Sequence, residues 1–161
     1  MQSLGFDLPA LAAAIANRYR DLREAAARPF PGAVETLERL RAMGVRLGLI
    51  TNGSAAGQRA KIERFDLARH LHHVLIEGEF GCGKPDERVY LTTMRSLGSQ
   101  PNRTWSVGDN LEWDVAVPQR LGLYAVWVDA SGAGLPTDSE VQPDRIICSI
   151  TELLPPRTDR G

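Results

Sequence analysis

Short apolar runs alternate along the chain with longer amphipathic segments. The apolar runs predict strands, and the segments between them predict helices near residues 55–65, 86–97 and 117–121. The predicted strands are VRLGLIT (45–51), HVLIE (73–77), TWSVG (104–108), YAVWVD (124–129) and RIICSI (145–150). Strands that alternate with helices are typical of a parallel sheet with helices on both faces. We therefore expect a three-layer α/β fold.

Two helices are predicted before the first strand. The first begins at Asp7, whose carboxylate can cap free backbone amides, and ends near Ala27 at the sequence RPFPG. The second begins at Gly32 and places four apolar residues on one face: Val34, Leu37, Leu40 and Met43. The pattern divides the chain into a helical segment (1–28), an α/β core (29–155) and a tail (156–161).

The composition is that of an ordinary soluble domain. Of the 161 residues, 43% are hydrophobic and 24% are charged, and the net charge is -1. This charge gives no reason to expect nucleic acid or an anionic membrane as a partner. The chain also has no run of about 18 apolar residues that predicts a membrane span. The two cysteines, Cys82 and Cys148, are far apart in sequence, which favours a reducing, cytoplasmic compartment.

The first candidate cluster is the sequence TNGS, which follows the first predicted strand. Ligands of parallel sheets bind beyond the carboxyl ends of the strands. The hydroxyl of Thr51, the amide of Asn52 and the backbone at Gly53, followed by the helix cap Ser54, are typical of an anion site. An ordinary polar turn is the alternative.

The second cluster is the sequence GKPD after the second strand. Pro85 holds the backbone of Lys84 extended, so the lysine ammonium can be aimed from a stiff loop. An ammonium group there can neutralise both a phosphate and a neighbouring carboxylate. Most lysines are instead solvated, which is the alternative for Lys84.

The third cluster lies in WSVGDNLEWDVAVPQRLG (105–122). Asp109 falls at the end of a strand, and Asp114 is expected in a loop that turns back towards it, because Pro118 favours a helix that starts after Asp114. Two neighbouring carboxylates repel each other unless a cation such as Mg²⁺ joins them. One helix-capping and one surface aspartate form the alternative.

Three tryptophans lie in or near the third cluster. Trp105 and Trp127 fall in predicted strands, which places them in the core. Trp113 lies between the two aspartates, where it can line a pocket.

Taken together, these motifs resemble those of the haloacid dehalogenase (HAD) superfamily, over residues 30–130. LGLITNG resembles the second motif, and this resemblance implies that Thr51 hydrogen-bonds the transferring phosphoryl group. GKPD resembles the third, with Lys84 as the charge-balancing lysine, and GDNLEWD resembles the fourth, with Asp109 and Asp114 at a Mg²⁺ site. The resemblance implies a Rossmann-like HAD core, preceded by a remnant of a helical cap in residues 1–28.

One feature departs from the family pattern. The first motif, DxDx[TV], supplies the nucleophilic aspartate of these hydrolases, and the sequence contains no match to it. Asp129 follows a later strand, and Ser131 stands where the second acid belongs. The family's missing strand would lie between the strands that end at Thr51 and Asp109, and its absence would leave unpaired backbone groups.

Three explanations of this departure remain open: a truncated chain, which is the favoured one, a rearranged domain that pairs with another chain, or a pseudoenzyme. The resemblance implies a Mg²⁺-dependent phosphatase of small phosphorylated metabolites, or a dehalogenase, with catalysis impaired in this chain. A non-catalytic module that binds a phosphorylated ligand or a protein is the alternative. Self-association through the incomplete sheet is a further expectation.

Overall fold

The computed structural model describes residues 8–155, without the side chains of residues 20, 21, 23 and 24. The chain divides between Phe30 and Pro31 into two compact units. The assignment of residues 1–28 to a cap remnant stays a prediction. The expected tail, 156–161, lies outside the described residues.

The first unit contains one helix, α1, which spans Leu8–Ala26. The predicted helix is therefore present, but its expected cap, Asp7, lies outside the described residues. Five apolar side chains recur every three or four positions and are exposed: Leu8, Leu11, Ile15, Tyr19 and Leu22. This spacing gives α1 one apolar side. Within residues 8–155, no helix is long and apolar enough to cross a membrane.

Strands and helices alternate through the second unit, as the sequence pattern predicts. The helices are α2 (Ala33–Ala42), α3 (Ala55–Arg64), α4 (Glu77–Phe80), α5 (Glu87–Leu97) and α6 (Val117–Arg120). The strands are β1 (Gly48–Thr51), β2 (His73–Ile76), β3 (Trp105–Gly108), β4 (Tyr124–Val128) and β5 (Arg145–Ile147). Short 3₁₀ turns span Ala68–His70, Pro101–Arg103 and Ile150–Leu153. A capping box of Ser149 and Glu152, whose spacing can be read from the sequence, starts the last of these turns.

All strand pairs are parallel, and they form two sheets. In one sheet β1 pairs with β2, so that Thr51 lies opposite Ile76. In the other, β4 lies between β3 and β5. Within residues 8–155 no backbone pairing joins β1 to β3, so each of these two strands has one open edge. The resemblance led us to expect the gap at this position.

One hydrophobic cluster packs α5 and α6 against β2. Its buried members come from β2, α5 and α6, and they are Leu75, Val89, Tyr90 and Val117. A second cluster, Val115, Ala125 and Trp127, packs on β4. Burial of these apolar side chains provides the main favourable free energy of folding.

The region around Asp114 differs from the sequence prediction. A π-helical turn spans Leu111–Ala116 and leads directly into α6, so Asp114 lies on a helical turn and the expected loop is wrong. The Asn110 side chain starts this turn by accepting a hydrogen bond from the Trp113 N–H at 2.8 Å. Pro118 has no N–H to donate to the Trp113 carbonyl, and the Tyr90 hydroxyl donates to this carbonyl instead. Pro118 therefore belongs to a continuous helical segment.

One prediction about the core is also wrong. The side chain of Trp105 is 53% exposed and packs against Tyr124, with ring centroids 4.8 Å apart, because β3 has an open edge. Met43 is exposed, whereas Thr36 is the buried residue of α2 and its hydroxyl donates to the Gly32 carbonyl at 2.7 Å. Strand β1 is half-buried. Trp127 is buried as predicted.

Candidate active site

An ion pair joins the second and third predicted clusters. Lys84 Nζ donates to Asp114 Oδ1 at 2.7 Å, and their side chains are only 17% and 7% exposed. Lys84 follows the carboxyl end of β2, and Asp114 follows that of β3. Because the pair is screened from solvent, it is a stronger constraint than a surface ion pair. The expected convergence of these two loops is therefore present.

Asp114 is held by the backbone at the start of its own helical turn. Its second oxygen, Oδ2, accepts a hydrogen bond from the Asn110 N–H at 3.1 Å. The carboxylate lies directly against Gly108, where a Cβ atom would overlap it. Gly108 is therefore required here for close approach of the carboxylate.

Asp109 is exposed at the end of β3. Its backbone carbonyl accepts a hydrogen bond from Trp127 Nε1 at 2.9 Å. Trp127 is itself buried in the core of β4. Asp109 is thus anchored through its backbone while its carboxylate stays accessible.

The Tyr90 hydroxyl supports the same turn from α5 by donating to the Trp113 carbonyl. Burial raises the pKa of Tyr90, and the nearby carboxylates of Asp114 and Glu112 raise it further. The hydroxyl therefore remains a hydrogen-bond donor at neutral pH.

The TNGS turn lies at the carboxyl end of β1, and its cap is formed as predicted. Ser54 Oγ accepts a hydrogen bond from the Gly57 N–H at 3.3 Å and begins α3. Thr51 is the last residue of β1. The side chain of Asn52, a predicted substrate ligand, is hydrogen-bonded to the backbone of Lys84. This contact connects the first and second clusters.

Sequence analysis did not identify Glu77, which also contacts the TNGS turn. Glu77 Oε2 accepts a hydrogen bond from the Gly53 N–H at 2.8 Å. The predicted anion cradle therefore has a carboxylate on one of its amides. The available signal was the position of Glu77 directly after the apolar run of β2.

Asp129 also follows a strand end, that of β4, and is buried. Its carboxylate accepts hydrogen bonds from the Gly134 N–H at 2.7 Å and the Ser131 hydroxyl at 2.8 Å, and these contacts lower the pKa of Asp129. The carboxylate is used to organise its own loop.

The donor chemistry of the site fits a magnesium ion held by two carboxylates. Asp109 directly follows β3 and is exposed, and the buried Asp114 contacts the residues on both sides of it, Gly108 and Asn110. Mg²⁺ is often bound by one or two carboxylates, with water and phosphate oxygens completing its octahedral shell. Within the part of the chain that the structure describes, no group of three or more His, Cys, Asp or Glu residues is placed to hold a metal.

Comparison with protein-family models gives a match to the haloacid dehalogenase-like hydrolases over residues 4–122. The chain belongs to this family. The motif resemblance is therefore confirmed, and so is the HAD-like α/β fold.

Curated relatives of this HAD-like chain include one archaeal and one bacterial phosphatase. The chain is 36% identical over 118 residues to a glyceraldehyde 3-phosphate phosphatase of Methanopyrus kandleri, covering 73% of this chain and 51% of the relative. It is 38% identical over 144 residues to a phosphoserine phosphatase of Thermus thermophilus, covering 85% and 57%. The HAD-like chain thus spans little more than half the length of these relatives.

Solved structures of HAD-family proteins are also similar to this chain. A HAD phosphatase from Thermococcus onnurineus superposes with a TM-score of 0.73 at 29% identity, covering 84% of this chain and 62% of that one. A 2-haloacid dehalogenase from Pseudomonas syringae superposes with a TM-score of 0.71 at 30% identity, covering 89% and 59%. Both structures share the HAD-like fold.

Replacement of Trp127 by phenylalanine is expected to loosen the Asp109 loop of this HAD-like chain. The variant keeps a smaller aromatic ring in the core but removes the hydrogen bond to the Asp109 carbonyl, and the loss of this bond costs about 1 kcal/mol of unfolding free energy in addition to the lost packing. Chemical denaturation checks this value. Trp105→Phe is the matched control, since Trp105 is largely exposed. Equal effects of both variants would contradict the role of the indole N–H.

Proposed function

We propose that this chain provides the phosphate-binding and Mg²⁺-binding part of a phosphatase that acts on small phosphorylated metabolites. The observation that carries the proposal is the ion pair between Lys84 and Asp114, which brings a cationic and an acidic loop together beside the TNGS turn. Two relatives whose names denote phosphatases of small metabolites support it. Phosphoryl transfer depends mainly on positioning and charge neutralisation, which such an arrangement provides.

In this proposal, each loop has a separate role. The Thr51 hydroxyl and the turn of Asn52 and Gly53 bind phosphoryl oxygens, and the Lys84 ammonium balances the charge of the phosphate and of Asp114. Asp109 and Asp114 hold Mg²⁺. When bound, the ion neutralises charge on the phosphoryl oxygens. The family resemblance implies attack by an aspartate to form an aspartyl-phosphate, which water then hydrolyses.

We further propose that hydrolysis by this 161-residue chain is impaired. The sequence has no DxDx[TV] motif. Asp114 is paired with Lys84, Asp129 is hydrogen-bonded within its own loop, and Glu77 is hydrogen-bonded to Gly53. None of these carboxylates is therefore available to replace the missing nucleophile. The chain is then expected to bind phosphate esters and to turn them over slowly or not at all.

The test combines binding and turnover in one preparation of the chain. Calorimetric titration with inorganic phosphate in the presence of Mg²⁺ should show saturable binding, whereas p-nitrophenyl phosphate, phosphoserine and glyceraldehyde 3-phosphate should be hydrolysed little. Asp109→Asn should remove the Mg²⁺-dependent binding, and Asp138→Asn, in an exposed loop, should not. Absence of binding would contradict the site, and rapid Mg²⁺-dependent hydrolysis would contradict impairment.

The same experiment separates two further readings. Tight phosphate-ester binding in a stable chain without hydrolysis would favour a binding module that has lost catalysis. Release of halide from 2-haloacids would favour dehalogenation, the reaction named for a structural relative. We expect no halide release, because the sequence has no DxDx[TV] motif to supply the nucleophile.

Self-association also belongs to this proposal. The open edges of β1 and β3 present unpaired backbone groups, which favour pairing with another chain. Light scattering coupled to size exclusion should show a concentration-dependent mass, and a constant monomer mass would exclude this.

We propose a cytoplasmic location because both cysteines are free, and cell fractionation tests it.

Replacement of Glu77 by glutamine is expected to tighten phosphate binding about five-fold. Glutamine keeps an acceptor for the Gly53 N–H but removes a negative charge beside the proposed phosphate site. Phosphate titration in Mg²⁺ measures the change. The matched control is Glu79→Gln, which removes a charge that is paired with Arg59. Unchanged or weaker phosphate binding by the Glu77 variant would show that this carboxylate mainly holds the turn.

A further inference from the structure

The side chain of Asn52 makes two hydrogen bonds to the backbone of a single residue. Asn52 Oδ1 accepts from the Lys84 N–H at 2.8 Å, and Asn52 Nδ2 donates to the Lys84 carbonyl at 2.7 Å. An amide that bonds both polar groups of one residue fixes the position and the orientation of that residue. Asn52 therefore holds the backbone of Lys84 at the site from the neighbouring strand.

Two glycines allow this close approach of the loops. A Cβ atom at Gly83 would lie 2.5 Å from Asn52 Oδ1 and 2.8 Å from Glu77 Cδ. A Cβ atom at Gly78 would lie 2.6 Å from the Ala55 backbone nitrogen. The loop after β2 thus lies directly on the TNGS turn, and its sequence permits only small residues at the contacts.

The position of Lys84 determines what its ammonium can reach. The ammonium bonds Asp114 at 2.7 Å, across the space between the loops of β2 and β3. A lysine side chain is long and flexible, so a fixed backbone lowers the entropy lost when the ammonium is ordered at one partner. Asn52 supplies that fixed backbone.

We infer that Asn52 is a positioning residue for Lys84, and that its side chain is not a ligand of the phosphoryl group. The inference deepens the proposed function and rests on it for the statement about phosphate. The side-chain oxygen of Asn52, Oδ1, and one N–H of its side-chain amide, Nδ2, both bond the backbone of Lys84. Asn52 thus acts on phosphate through the Lys84 ammonium.

The chemistry of the chain offers a direct test, since its only lysines are Lys61 and Lys84. Acetylation by an excess of N-hydroxysuccinimidyl acetate can be followed at both lysines by peptide mass spectrometry, with Lys61 as the internal reference. A held, paired ammonium reacts slowly. In Asn52→Ala, the rate at Lys84 relative to Lys61 should rise about tenfold, and the Lys84 amide should lose protection from hydrogen exchange.

Two further variants separate positioning from loss of stability. Gly83→Ala should raise the same ratio, because its Cβ displaces Asn52 Oδ1. Ile147→Val, in the buried part of β5, lowers stability away from the site and should leave the ratio unchanged. Asn102→Ala, an exposed asparagine, controls for the substitution itself.

Phosphate titration completes the test. Asn52→Ala should weaken Mg²⁺-dependent phosphate binding about tenfold together with the rise in Lys84 reactivity. Weaker phosphate binding at an unchanged Lys84 ratio would make Asn52 a direct ligand and overturn the inference, as would a raised ratio at unchanged phosphate affinity. If the unaltered chain binds no phosphate, the proposed function fails, and an unchanged Lys84 ratio in Asn52→Ala still decides against the positioning role.

Discussion

Replacement of Lys84 by methionine is expected to lower the unfolding free energy by about 3–5 kcal/mol, because it leaves a buried carboxylate without its cation. Asp114 is only 7% exposed, and its Oδ1 has the Lys84 ammonium at 2.7 Å. Methionine keeps most of the length of the side chain, so the expected loss comes from the charge and the hydrogen bond. Urea denaturation at neutral pH measures the change.

A surface ion pair provides the control for the Lys84 variant. The pair of Arg59 and Glu79 has a similar N–O distance, 2.6 Å, but its side chains are 47% and 35% exposed. Arg59→Ala should therefore cost less than about 1 kcal/mol. In the double variant Lys84→Met with Asp114→Asn, much of the loss should be recovered, since no buried charge remains. A loss below 1 kcal/mol for Lys84→Met alone would contradict a buried, mutually dependent pair.

The parts of the site that follow strand ends could be predicted from the sequence. Thr51, Lys84 and Asp109 each come directly or a few residues after an apolar run, and parallel strands present their carboxyl ends at one edge. Local rules also sufficed for the Ser54 cap and for the capping box before the last turn. Such features depend on neighbours within a few residues, so a pattern in one segment identifies them.

The remaining features depend on contacts between distant segments. The Asn52 side chain bonds a residue 32 positions away, and the Tyr90 hydroxyl bonds the carbonyl that Pro118 leaves free. Pro118 suggested a late helix start because its missing N–H normally excludes it from a helix interior. A donor from α5 removes that penalty, and no local pattern predicts such a donor. Trp105 was misplaced because an apolar strand residue at an open edge has no partner to bury it.

Among substitutions that add one methyl group at the site, Gly108→Ala is expected to disrupt the pair of Asp109 and Asp114 most. A Cβ atom there would overlap Asp114 Cγ and Oδ2, while the bonds to Lys84 and to the Asn110 N–H hold that carboxylate in place. Forced overpacking of this kind costs about 1–3 kcal/mol, and displacement of Asp114 should weaken Mg²⁺ binding at least about tenfold. Chemical denaturation and Mg²⁺ titration measure the two effects.

Val107→Ala distinguishes this close contact from a general effect on β3. Val107 is the preceding residue of the same strand and is exposed, so its variant should change the unfolding free energy by about 0.5 kcal/mol and leave Mg²⁺ binding unchanged. Asp114→Ala removes the carboxylate that alanine at position 108 would overlap. The Gly108 substitution should therefore cost less in that background than in the unaltered chain, and the difference measures the contact. If the two costs are equal and Gly108→Ala still binds Mg²⁺ normally, Asp114 does not lie against β3 in solution, and the acidic pair must be arranged differently.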